Sequence, residues 1–131
     1  MTTPRTSWVN HPVVATIVGI LAAAITVMLV ERAGHALLGV GDPRAAAGIT
    51  AAQYAAVLAA WILGAAVGAL VAVRWARSRT VVPGVVVGAF ILLGAVASFA
   101  AFPHPVWMMV ASAGLPLVGL AAARVGRTAA H

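Results

Sequence analysis

Cysteine and lysine are both absent from this chain, and only two acidic side chains are present. Without cysteine there is no disulfide and no thiolate metal site, so any metal would have to be held by His and carboxylate. Two carboxylates, Glu31 and Asp42, are too few for paired acid chemistry unless they happen to meet. No GxSxG elbow, Walker phosphate loop or HExxH pair occurs either, so the chain is read as non-enzymatic. Charged residues amount to only 8% of the sequence against 63% apolar, which excludes the water-facing surface of a soluble domain. The net charge of +6 rests wholly on arginine. Because these arginines flank apolar runs, they point to lipid headgroups rather than to nucleic acid.

A hydrocarbon core about 30 Å thick needs roughly 20 helical residues. Four segments meet that length, at about 13–38, 51–73, 82–102 and 106–123. The first contains an uninterrupted core of 18 uncharged, mostly apolar residues, 13–30, which covers about 27 Å as helix. That count puts Glu31 at the far interface. The run also exceeds the roughly 7–15 residues of a cleaved signal peptide's apolar region. Pro83 and Pro105 mark helix entries, where a missing N–H costs nothing. Arg5, then Arg74, Arg77 and Arg79, then Arg124 and Arg127 fall on one side of a four-span chain. Opposite them stand Arg32 and Arg44, offset by Glu31 and Asp42. Retention of arginine on the cytoplasmic side predicts both termini inside. The expected fold is therefore all-α: one transmembrane domain over 1–131, a four-transmembrane-helix bundle, N-in/C-in.

Lipid tails remove most of the hydrophobic drive between helices, so close backbone contact has to replace it. Gly64 with Gly68 and Gly84 with Gly88 form two GxxxG pairs. They serve packing inside one chain or, alternatively, a homodimer or another membrane-protein partner. Pro116, after Gly114, predicts a kink in the fourth span unless neighbours re-satisfy the freed carbonyl.

The topology gathers polar residues at the outer face. Glu31 and His35 share one side of the first helix at i, i+4. His104 lies in the link between the third and fourth helices, Trp107 follows within a turn, and Gln53 and Tyr54 open the second helix on the same side. An ionisable group near the bilayer is a functional hypothesis by default. Glu31, His35, His104, Tyr54 and Trp107 are thus a candidate site for a small ligand, a lipid or quinone headgroup, or a proton. The competing reading is a helix-end clasp, with Glu31 paired to Arg32, His35 or Arg44 and Trp107 as interfacial anchor. No cofactor is predicted; a divalent metal or haem on the imidazoles and carboxylate is the weakest alternative. Trp61, mid-depth on the second helix, reads as packing. His11 and His131 read as solvated chain ends, and Arg74, Arg77 and Arg79 as a positive-inside anchor.

Glu31-x-x-Gly34-His35, Trp61-x-x-Gly64-x-x-x-Gly68 and Pro103-His104-Pro105-x-Trp107 together resemble a group of uncharacterised small four-helix bacterial membrane proteins. The likeness spans most of the chain and implies a multi-pass protein of the bacterial inner (cytoplasmic) membrane with membrane lipids as its surroundings; it implies no activity. Members often carry a proline-rich stretch after the His and an Asn a turn before Pro-His-Pro, where this chain has residues 37–41 and Ser98. In size, helix number and an acid in the first helix the chain is also similar to small multidrug resistance transporters. That likeness implies a proton-coupled exporter working as a dimer. In that family the acid lies mid-membrane, and its helix-three motif is not recognisable here.

Overall fold

The computed structural model describes residues 8, 11–39, 48–76 and 80–129. Its helices are α1 (Pro12–Leu38), α2 (Ala51–Ala76), α3 (Val82–Ala101), α4 (Val106–Ser112) and α5 (Leu115–Thr128). Among the described residues these make four helices long and apolar enough to cross a membrane, with α4 and α5 forming one interrupted span over Val106–Thr128. The residues Arg5, Asp42, Arg44, Arg77, Arg79 and His131 lie outside the described residues.

Each helix begins and ends for a local reason. The Nδ1 atom of His11 accepts the Val13 N–H at 3.3 Å, and Pro12 occupies the first turn of α1, where no donor is missed. At its far end Gly39 adopts φ 79°, ψ 170°, a conformation essentially reserved for glycine, while its N–H closes on the His35 carbonyl at 2.9 Å. α2 opens with a capping box. Thr50 Oγ1 accepts the Gln53 N–H at 3.3 Å, and Gln53 Oε1 accepts the Thr50 N–H at 2.8 Å. The Gln53 amide also donates to the carbonyls of Leu38 (3.2 Å) and Gly39 (3.0 Å), tying the last turn of α1 to the first turn of α2. α3 starts with Pro83 in its first turn, as expected.

The fourth span does more than kink. Pro116 has no N–H to offer the carbonyl of Ser112, and the ladder breaks between α4 and α5. Tighter turns fill the gap, with the Ala113 N–H on Val110 O (3.2 Å), Gly114 on Ala111 O (3.1 Å) and Leu117 on Gly114 O (2.9 Å). The fully buried Ser112 hydroxyl donates back to Met109 O at 2.9 Å. This span also runs to Thr128, five residues past the sequence estimate of 123, because the apolar count stops at Arg124 while the helix carries its cations onward.

α2 is the hub, packed against α1, α3 and α5, whereas α1 leans mainly on α2 and only lightly on α3. Small residues make these seams. Gly64 faces Ala23 and Val27, and Gly68 faces Gly19 and Ala23. Gly84 meets Gly119 and Ala123, and Gly88 meets Leu115 and Pro116. Both GxxxG faces are therefore occupied within one chain. The start of α1 and the end of α5 reach the same end of α2, Gly19 against Ala72 and Gly126 against Leu70 and Val73.

Large side chains point the other way. Ile17, Leu21, Ile25 and Leu29, spaced by four along α1, are all exposed, while Ala15, Gly19 and Ala23 on its other face are buried. In water that arrangement would expose a long apolar stripe. In hydrocarbon it lets backbones close up while bulky groups face tails.

Candidate functional site: a groove between α1 and α3

Because α1 and α3 touch only lightly, a groove of about 1000 Å³ remains between them, floored by α2. Toward the middle of the bundle its walls are apolar: Ala24, Val27 and Met28 from α1, Phe90, Ile91 and Ala95 from α3. Gly94 keeps it open, since a methyl group built there would meet nothing within 4 Å. Toward the end that carries the α1–α2 and α3–α4 connections the lining turns polar, with Glu31, Arg32, His35, Gln53, Tyr54, Ser98 and His104.

Helix register decides which of these meet. Opposite α1, Gly64 faces Val27 and Ala56 faces Gly34, so Glu31 falls opposite the stretch of α2 between those two positions, which carries Trp61. The buried Trp61 (7% exposed) donates its indole N–H to the Glu31 carboxylate, with His35 in electrostatic range one turn on. The expected first segment of 13–38 matches α1, with Glu31 short of its last turn. α1 continues seven residues further to Leu38, roughly 10 Å at 1.5 Å per residue. The half-buried acid stands beside Trp61 of α2.

His104 is held in an aromatic box. Its ring centroid lies 5.0 Å from Phe99, 5.6 Å from Tyr54 and 6.4 Å from Trp61, and Trp61 in turn packs edge-on against Phe99 at 5.7 Å. The sequence fixes this pose locally. Pro103 and Pro105 hold the link extended, and the Tyr54 hydroxyl donates to the Pro103 carbonyl at 2.9 Å, clasping the link to α2. Nδ1 of His104 sits 2.8 Å from the Phe102 carbonyl. A carbonyl can only accept, so in the neutral ring Nδ1 carries the proton and Nε2 presents a lone pair. Its neighbour is the Ser98 hydroxyl at 3.5 Å, the outer limit of a hydrogen bond.

Of the residues singled out from sequence, Glu31, His35, Tyr54 and His104 all line this groove. Trp107 does not; it is 46% exposed on the first turn of α4, outside the lining. Among the described residues no group of three His or acidic side chains is placed to hold a metal ion, so Glu31, His35 and His104 do not converge on a common centre. They are linked instead through Trp61, which touches both Glu31 and His104. Reading Trp61 as packing missed this link. The signal lay in pairing the Gly64 and Gly68 face with the small residues of α1, which brings Trp61 opposite Glu31. Phe99 and Gly94 were likewise missed, since nothing local marks them; Ser98 was marked only as standing where the resembled group carries an Asn.

Against protein-family models, curated proteins and solved structures, the chain finds no match.

Proposed function

We propose that this chain is a non-enzymatic, multi-pass protein of the bacterial inner membrane that holds an amphipathic, membrane-soluble molecule in the groove between α1 and α3. One observation carries the reading: a cavity of about 1000 Å³ whose lining passes from wholly apolar at mid-bundle to polar at one end. That gradient matches a molecule with a tail and a head, and the volume is that of an ordinary small-molecule site. The groove lies between two helices whose outward faces are apolar, so a ligand dissolved in the bilayer would enter sideways without crossing water. Arginine placement supports both termini on the cytoplasmic side, with the polar end of the groove outward. The sequence patterns support membership of the small four-helix bacterial group. A homodimer or membrane-protein partner would have to use a face other than the two GxxxG seams.

The test is native mass spectrometry and lipid extraction of the detergent-purified protein, wild type against Gly94→Trp, which fills the groove from an open position. The wild type should retain a lipid-like molecule that the variant lacks. Equal lipid content in two folded proteins would reject the reading.

A second reading, a proton-coupled exporter like the small multidrug resistance transporters, is favoured by the placement of Glu31 in the groove lining beside the buried Trp61. An embedded carboxylate of this kind suits proton exchange. It requires that Glu31→Gln abolish proton-driven export from proteoliposomes; no flux in the wild type eliminates it.

A further inference from the structure

The hydrogen-bonding state of the groove's polar end restricts what kind of head it accepts. Donors facing the groove from α2 are already engaged. The Tyr54 hydroxyl donates to Pro103 O at 2.9 Å, the Gln53 amide to Leu38 O at 3.2 Å and Gly39 O at 3.0 Å, and the Trp61 indole to Glu31. What these bonds leave unfilled is acceptor capacity at Glu31 and His104, beside Arg32, His35 and the Ser98 hydroxyl in the same polar lining. A carboxylate offers about four lone-pair sites, of which the Trp61 N–H fills one. The His104 Nε2 lone pair has only the Ser98 hydroxyl at 3.5 Å. Charge narrows the choice further, because the polar lining holds one acidic and one guanidinium side chain, Glu31 and Arg32, and its formal charge is close to balanced. The site therefore offers little net attraction to an ammonium.

Building on the groove reading above, we propose that the bound molecule is an uncharged long-chain alcohol, its hydroxyl donating to Glu31 or His104 and its chain lying along Val27, Met28, Ile91 and Gly94. A ligand with acceptors only, such as a quinone or an ester, would leave the Glu31 and His104 acceptors unpaired in a low-dielectric site, where an unmade hydrogen bond costs most. The hydroxyl supplies the missing donor without bringing a charge. Arg32, exposed at the rim, sits where a further oxygen of a polyol head would accept from it.

Three probes of one chain length separate the alternatives: 1-hexadecanol, its methyl ether and 1-hexadecylamine, each equilibrated with the purified full-length protein in micelles and measured as moles retained per mole of protein. The alcohol should be retained ~10-fold over the ether, the ratio that one net hydrogen bond of about 1.4 kcal/mol produces. Glu31→Leu should bring the alcohol down to the ether's level, and Gly94→Trp should lose all three. Because the three probes are compared on the same wild-type protein, their ranking does not depend on how well a variant folds. Equal retention of alcohol and ether, both lost in Gly94→Trp, would overturn the hydroxyl assignment and leave the groove standing. An amine retained above the alcohol would overturn it in favour of the Glu31 charge. Retention unaffected by Gly94→Trp would overturn the groove reading itself.

Discussion

A single methyl group added at Gly68 should weaken this protein, and the same methyl added at Gly94 should not. At Gly68 the new carbon would lie 2.5 Å from the Gly19 carbonyl oxygen, 2.6 Å from the Ala23 Cβ and 2.8 Å from a Val87 methyl. Comfortable carbon contacts are about 3.5–4.0 Å, so α1 must retreat from α2 by about 1 Å. Neither of the two nearest atoms can swing aside, one being backbone and the other the first atom of its side chain. Overpacking of this kind costs roughly 1–3 kcal/mol, and the rigid neighbours put Gly68→Ala at the upper end. Replacing a mid-helix glycine by alanine returns about 1 kcal/mol through helix propensity. The net expectation is a loss of about 1–2 kcal/mol. At Gly94 nothing lies within 4 Å of the same carbon, so only the propensity gain of up to about 1 kcal/mol remains. The two variants should differ by about 2–3 kcal/mol in reversible unfolding by SDS in mixed micelles, followed by far-ultraviolet circular dichroism. If Gly68→Ala unfolds at the same midpoint as Gly94→Ala, the α1–α2 seam described here is not the one the protein uses.

Gly39→Ala meets no atom but must adopt φ 79°; the strain should lower stability by roughly 1–3 kcal/mol in the same titration, and an unchanged midpoint would argue against that turn. Thr50→Ala and Gln53→Ala should each cost about 1 kcal/mol, with the double variant losing less than the sum because the two residues form one capping box. Strict additivity in that double-mutant cycle would contradict the reciprocal bonding. The cysteine-free chain is suited to topology mapping: in intact cells an impermeant maleimide should label Gly48→Cys but not Thr128→Cys, and the reverse pattern would invert the orientation.

Much of the fold is legible in local sequence. Apolar runs of spanning length set the four spans, and Pro12, Pro83, Pro105 and Pro116 mark entries or breaks, because hydropathy and the missing proline N–H act within a turn or two of their own residue. The Thr50-x-x-Gln53 capping box was also there to be read. Glu31 shows where such reading stops. The first segment, expected at 13–38, matches α1 (Pro12–Leu38), but only the partner helix shows that Glu31 on it meets Trp61.

The sequence by itself determined the class of protein, the helices and the polar residues that gather toward one end, since each depends on composition or short-range spacing. The tertiary structure alone decided that both GxxxG faces are used within one chain, that Trp61 rather than Trp107 joins Glu31 and His104, and that a groove stays open between α1 and α3. Those outcomes depend on which small-residue faces mate and in what register, a choice made by backbone contact between segments tens of residues apart, which hydropathy and periodicity do not encode.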